Sequence, residues 1–419
     1  MMILKKSSPI KHGKLIAMVV ALMTAMTLAL IYQDTQSPPH EDDYVVGVFS
    51  DNSQNHSEIE SRYELLRNSI LDTSDEESVR NSIDWFFQNS HQEIAVLLSS
   101  EVLRYKGHGQ QDADGTRTIQ TLTQWLLDHK DDDNDGIYGW GLIRSTRTFG
   151  REATNPAFHE YAIEIVQVLE ALMNAADTNA LSQKTKDEIR ELAVELAVQW
   201  STQYWSQNPD GGGFYWYSTA ETDAIECVNI SSIMAGIFSR VLSECGSSFS
   251  ESEYVTVLDR INRTMYAVIA GAHQKDDVIF WGYSTQSKQI NDVVHVGFII
   301  EGMENYRRYI NQVSIPWDSE ELLSLLTRCY DRNAGVLLDY PPQLNLEYQV
   351  EARLFSCGEI LLLLEDTNDS LSQGVISFID KKYQCWDKQI GGYVDPTIYG
   401  YSTSELAFVL RGLASYLFA

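Results

Sequence analysis

Asp292 and His295 stand where an aromatic loop, Phe280-Trp281-Gly282-Tyr283-Ser284, gives way to a strongly apolar stretch. Residues three apart share one face of a helix, so a carboxylate and an imidazole meet at a helix entry. Imidazole titrates near neutrality and can move a proton, and the Tyr283 phenol just upstream is a candidate partner. Asp223 and Glu226 occupy a comparable place after a second loop at 208–219, and His159 follows Asn155-Pro156 in a third. Acidic residues at helix starts also serve as caps, so Asp292, His295, Asp223, Glu226 and Tyr283 are candidates for proton transfer rather than assignments.

The loops around these residues carry flat aromatic side chains, among them Trp140, Trp216, Tyr217, Trp281 and Tyr399. Aromatic faces stack on the apolar faces of sugars, although aromatics also fill cores. Arg144, Arg147 and Arg151 crowd one loop of an otherwise acidic chain, and guanidinium groups suit carboxylate recognition. Asp131-x-Asp133-x-Asp135-Gly136 has the oxygen-ligand spacing of a calcium loop, but the twelfth position is Leu142 rather than Glu. Calcium at Asp131, Asp133 and Asp135 is therefore an expectation of a partial motif. The sequence has no nucleotide-binding motif, no Gly-x-Ser-x-Gly elbow and no His-Glu-x-x-His zinc helix.

The 419 residues carry a net charge of −28, which opposes nucleic-acid binding, since phosphate recognition needs a basic face. The five cysteines are widely spaced and form no Cys-x-x-Cys pair. Lys5, Lys6, Lys11 and Lys14 precede an uncharged run at 15–32 with no small-residue cleavage site after it. That pattern predicts a cytoplasmic basic segment at 1–14 and an uncleaved transmembrane signal anchor at 15–32. A polar linker at 33–75 then leads to an exported domain at 76–419, with the periplasmic side of a bacterial inner membrane favoured.

Within 76–419 the pattern is one of paired helices. A polar-faced helix, a loop rich in Gly, Asp and aromatics, and a more apolar helix recur. The pairs are 76–88 with 91–105, 116–130 with 157–176, 184–205 with 227–242, 251–272 with 292–310, 318–330 with 350–364, and 370–386 with 404–418. The second helix of each pair is the more apolar, and Gly236, Gly297, Gly302, Gly358 and Gly412 lie in such helices. Small residues there let backbones approach, as an inner ring requires. All the long loops then gather at one end of the ring, where binding sites are usually built.

Six hairpins with loops such as Asp135-Gly136-x-Tyr138-x-Trp140 and Phe280-Trp281-Gly282-Tyr283-Ser284 resemble the (α/α)6-toroid superfamily of carbohydrate-active enzymes. The superfamily comprises six-hairpin glycosidases with related polysaccharide lyases and sugar epimerases. The resemblance implies an all-α (α/α)6 toroid and a glycan substrate held at the mouth of the ring, near the N-termini of the inner helices. By the chemistry of a glycan cleft, Trp140, Arg144, Arg147, Trp216, Tyr217, Trp281 and Tyr399 are the expected substrate contacts. A membrane-anchored glycoside hydrolase is the leading expectation. A lyase or epimerase of uronic-acid glycans is the alternative, favoured by His295, Tyr283 and the arginines, and a non-catalytic glycan-binding envelope protein is the third.

Overall fold

A computed structural model describes residues 56–86, 91–146, 155–284, 289–346, 349–364, 369–382, 386–387, 392–393 and 403–419. The basic segment, the expected anchor and most of the expected linker lie outside these residues. Among the described residues, no helix is long and apolar enough to cross a membrane.

The compact unit at Gln54–Ala419 is built from thirteen described helices. Six apolar ones form its centre: α3 (His91–Gly107), α5 (Ala162–Ala176), α7 (Val228–Glu244), α9 (Val293–Tyr309), α11 (Leu354–Leu363) and α13 (Thr403–Phe418). Each packs on the next in that order, and α13 returns to α3, which closes the ring. The polar-faced helices α2 (Glu76–Phe86), α4 (Ala113–Asp128), α6 (Gln183–Gln203), α8 (Glu251–Ala270), α10 (Ser319–Arg328) and α12 (Asp369–Lys382) precede them one by one. The expected (α/α)6 toroid of six helical hairpins is therefore the observed fold.

The inner helices approach most closely where both partners carry glycine. A Cβ on Gly302 would stand 2.2 Å from the Ser232 carbonyl oxygen, and one on Gly236 would stand 2.7 Å from Gly302 Cα. The pair α11 and α13 repeats the device, since a Cβ on Gly358 would meet the Phe408 carbonyl oxygen at 2.3 Å. Gly297 differs, because its Cβ would meet side chains alone, the tip of Leu363 at 3.0 Å and Glu359 Cγ at 3.6 Å.

One further helix, α1 (His56–Ile70), lies inside the stretch expected to be linker. Its residues Ile59, Tyr63, Leu66 and Ile70 are buried at helical spacing, and it packs on α13. Arg67 anchors it to the inner ring, with Nε and Nη2 donating to the two Glu101 carboxylate oxygens at 2.5 and 2.9 Å. Such a forked pair fixes both position and angle. The folded unit thus begins well before residue 76, and the linker expectation fails over 56–70 because a polar composition concealed a narrow apolar stripe.

The loop ends are stitched by a recurring hydrogen bond. The first N–H of an inner helix donates to a loop carbonyl of the next hairpin: Ala162 to Tyr217 at 3.0 Å, Val228 to Tyr283 at 3.3 Å, and Val293 to Asp339 at 2.7 Å. Short antiparallel hairpins, including Trp205–Gln207 with Gly213–Tyr215 and Ala272–Lys275 with Val278–Trp281, stiffen the loops. These strands were not anticipated, since two to four residues are too few to show alternation.

Gly302→Ala should destabilise the protein by about 1–3 kcal/mol, because the added methyl meets backbone. Gly297→Ala should stay within about 1 kcal/mol of the parent, helix propensity offsetting the contact with Leu363. Denaturant unfolding of both variants checks the contrast.

Candidate active site at the mouth of the ring

The N-termini of α5, α7 and α9 place three pairs of residues side by side at the mouth. Glu160 and Tyr161 precede α5, Glu226 and Cys227 precede α7, and Asn291 and Asp292 precede α9, with the second of each pair at the N-cap.

Glu160 is buried and held by its neighbours. Thr219 Oγ1 donates to its Oε2 at 2.8 Å and stands 3.1 Å from His159 Nε2. Gly139 and Gly141 let the 137–142 loop close over it, since a Cβ on Gly139 would strike Glu160 Cγ at 2.5 Å. Burial pushes the Glu160 carboxyl up to about 7, against the Thr219 hydrogen bond, with Asp133 and Asp135 adding negative charge nearby. Burial also lowers His159 below its ordinary value, although Asp133 and Asp223 oppose the shift. The preceding residue, Phe158, has φ of 65°, a left-handed conformation that is uncommon for a bulky side chain and clusters at functional sites.

Asp223 belongs to the same group. Its Oδ2 accepts from Asn155 Nδ2 and from Ser218 Oγ, both at 2.7 Å, and Asn155 also donates to Tyr161 Oη at 2.9 Å. Glu226 points elsewhere and accepts from Asn208 Nδ2 at 3.1 Å. Asp223 and Glu226 thus engage different partners on either side of the end of the 3-10 turn at Glu221–Asp223.

Asp292 and His295 do come together. Asp292 caps α9 by accepting from the His295 backbone N–H at 3.2 Å, and its Oδ1 also lies 2.6 Å from His295 Nδ1. Burial acts to raise the Asp292 carboxyl, but the His295 ring, the capping N–H and Arg353 together hold it below the usual value. The Tyr283 ring stands perpendicular to His295 at 5.1 Å, and burial pushes its phenol up to about 12. Tyr161 meets Tyr217 edge-on at 5.9 Å on the α5 side of the mouth. Tyr217 and Tyr283 interact electrostatically, so tyrosines connect the Glu160 group to the Asp292 group.

Several expected substrate contacts are placed otherwise. Trp140 and Trp281 are fully buried, and their indole N–H groups donate to Leu126 and Val268 carbonyls at 2.9 Å each. They lock their loops onto the preceding outer helices, as Tyr215 does by bonding Ser201 at 3.3 Å, so the reading of both tryptophans as sugar platforms is corrected. Trp216 is half-buried with its N–H on Ser206, Tyr217 is half-buried, and Arg144 is exposed. Arg147, Arg151 and Tyr399 lie outside the described residues.

Carboxylate oxygens of Asp131, Asp133 and Asp135 lie within 4.8 Å of one another, and Asp133 also groups with His159 and Glu160 within that distance. Asn134 and Gly136 adopt left-handed φ of 60° and 84°, which curls the loop around the three carboxylates. His91, at the entry of α3, fixes this loop by donating from Nδ1 to the Gly141 carbonyl at 2.7 Å, with Nε2 3.1 Å from Asp132.

Glu160 and His91 were not singled out from sequence. The register of the repeat carries the signal for Glu160, which precedes its N-cap as Glu226 and Asn291 precede theirs.

No protein-family model matches the sequence, and no curated protein matches it. Solved structures do match in fold. A sugar epimerase from a ruminal bacterium aligns at 11% identity and a TM-score of 0.54 over 85% of this chain and 98% of that chain. A glycoside hydrolase of family 105 from C. acetobutylicum aligns at 10% identity and 0.52 over 84% and 98%. Cellobiose 2-epimerase from Bacillus thermoamylovorans aligns at 10% identity and 0.51 over 85% and 98%. The chain has the (α/α)6-toroid fold of these carbohydrate-active enzymes; at such identities the likeness is one of fold alone.

A carboxyl raised from 4.5 to about 7 makes folding less favourable as pH rises through that window, because the unfolded chain releases its proton first. Glu160→Gln removes the effect. Its stability relative to the parent should therefore climb between pH 4.5 and 7, by up to roughly 3 kcal/mol, and then level off. Urea unfolding of parent and variant across that range measures the difference.

Proposed function

We propose that the mouth of the ring is the active site of an enzyme that cleaves glycosidic bonds, with Glu160 as proton donor and Asp292 as the ionised partner. The observation that carries this reading is the divergence of the two carboxyls. Burial raises the Glu160 carboxyl to about 7, whereas His295 and the capping N–H outweigh burial and hold Asp292 below its ordinary value. Hydrolysis by two carboxyl groups needs one to protonate the leaving oxygen and the other to activate water or attack the sugar. Asp223, buried beside His159 and Thr219, supports the Glu160 side, and the tyrosines between the two groups offer faces for a sugar ring. The (α/α)6 fold shared with a glycoside hydrolase and two epimerases is consistent with a glycan substrate.

A second reading has one specific observation in its favour. With Nδ1 of His295 committed to Asp292, Nε2 is the nitrogen left to act on a sugar proton, and Tyr283 is close enough to return one. That geometry suits elimination or epimerisation of a uronic acid. The reading also includes calcium at Asp131, Asp133 and Asp135, where a bound ion would lower the negative charge facing Glu160. It includes retention of the domain on the outer face of a membrane through 15–32. Chelation followed by a melting scan, and fractionation of cells expressing the full chain, test these two points.

A panel of neutral and uronic-acid oligosaccharides offered to the full chain separates the readings by product. New reducing ends without ultraviolet absorbance support hydrolysis, absorbance from an unsaturated sugar supports elimination, and an inverted centre without cleavage supports epimerisation. On a cleaved substrate, Glu160→Gln and Asp292→Asn should each lower kcat roughly 100-fold or more. Loss of the cap in Asp292→Asn should cost only about 1 kcal/mol of stability. Near-parental turnover in both folded variants contradicts the proposal.

A further inference from the structure

His91, the first residue of α3, is 1% exposed and lies between the two segments that enclose Glu160. On one side is the 137–142 loop, whose Gly141 pairs with Glu160 as an antiparallel bridge. The Tyr161 N–H donates to the Trp140 carbonyl at 3.1 Å and the Phe158 N–H to the Leu142 carbonyl at 2.7 Å, on either side of that pair. Neither bond uses the buried Gly141 carbonyl, which accepts from His91 Nδ1 instead. On the other side, the His91 ring lies 6.5 Å from the ring of Phe158, the left-handed residue two before Glu160.

The base of this clamp is itself fixed. The Gln92 N–H donates to Glu164 Oε2 at 2.6 Å, which ties the entry of α3 to the first turn of α5, and Glu160 stands just ahead of that turn. The other ring nitrogen, Nε2, faces Asp132, and the Trp125 ring lies 5.5 Å away. The ring is thus held relative to α5, and it holds Gly141 in turn. The fit beneath is tight, since a Cβ on Gly141 would stand 1.9 Å from the His159 carbonyl oxygen, and Glu160 is left 1% exposed. Trp140 also pins the loop, through Leu126 of α4, but supplies nothing to the Gly141 carbonyl. A buried carbonyl without a donor is costly, and a loop that loses one lifts toward water to replace it.

We infer that His91 is a positioning residue for Glu160, holding the 137–142 loop shut so that the carboxyl meets substrate rather than solvent. The catalytic consequence rests on the reading of Glu160 as proton donor; the closure of the loop does not.

Carbodiimide labelling of the full chain with glycine ethyl ester, followed by mass spectrometry, reads the accessibility of each carboxyl. His91→Ala should label Glu160 roughly tenfold faster or more, since the rate follows the population with the loop open. His91→Asn, whose Nδ2 stands in for Nδ1, should return the rate to within about threefold of the parent. Glu359, 0% exposed in α11, should stay unlabelled in both, which separates local opening from unfolding. If His91→Ala fails to fold, His91→Phe decides in its place, because it keeps a ring against Trp125 and Phe158 without the N–H donor. On an oligosaccharide that the parent turns over, His91→Ala should lower kcat roughly tenfold with KM within about threefold of the parent. It should have little further effect in the Glu160→Gln background, because the two side chains act through one carboxyl. Parental labelling of Glu160 in the truncated variant, labelling of Glu160 and Glu359 together, no rescue by Asn, or an undiminished kcat effect beside Glu160→Gln overturns the inference. Opening of the loop in His91→Ala together with near-parental turnover of Glu160→Gln upholds the clamp and overturns the proton-donor reading alone.

Discussion

The hydrogen bond from the first N–H of α5, α7 and α9 to the next hairpin's loop is the contact on which the mouth depends. Helix N-termini leave backbone donors without partners, and a buried terminus must satisfy them. Here Ala162, Val228 and Val293 find their acceptors at Tyr217, Tyr283 and Asp339. Each bond joins one repeat to the next. Tyr217 and Tyr283 are thereby fixed by their own main chain above the entries of α5 and α7, between Glu160 and His295. The dipoles of the same helices favour negative charge at their starts, which suits Asp292 at the cap of α9. Glu160, one residue outside its helix and shut in by the 137–142 loop, is dominated by burial instead.

Closure of the ring answers to a different constraint. Six apolar helices must approach closely to bury their faces, and glycines on α7, α9, α11 and α13 allow backbone to touch backbone. The packing density that results makes the C-terminal end of the inner ring a low-dielectric place, where Glu301, Glu359 and Arg411 depend strongly on one another. At the mouth, the buried carboxyl is partnered by Thr219; at the far end, buried Glu359 is bonded to Arg411.

Much of this was legible in the sequence. The inner helices announce themselves by apolar content and small residues, and the twelve expected helices of the ring are all present with ends shifted by a few residues. Helix α5 starts at Ala162 rather than 157 because the left-handed Phe158 turns the chain and Glu160 and Tyr161 then bridge to Gly141 and Ser218. Asp292 and His295 were visible because three-residue spacing at a helix entry leaves little choice of geometry. Trp140 and Trp281 misled because an aromatic loop reads alike whether its rings face a sugar or the core, and their indole partners are 13 to 14 residues away in sequence. Glu160 was hidden for the reason that makes it interesting: its environment comes from Thr219 and the 137–142 loop, which no local pattern records. Helix α1 was hidden because Arg67 and its charged neighbours masked the stripe of Ile59, Tyr63, Leu66 and Ile70.

The central claim is that a glycan is cleaved at the mouth between Glu160 and Asp292. A crystal structure of the Glu160→Gln variant with an oligosaccharide that the parent cleaves tests it most directly. The account predicts a sugar ring against Tyr217 and Tyr283, with the scissile oxygen within about 3 Å of the amide at position 160 and Asp292 on the opposite face of that ring. An oligosaccharide bound with its scissile bond away from both side chains would contradict it.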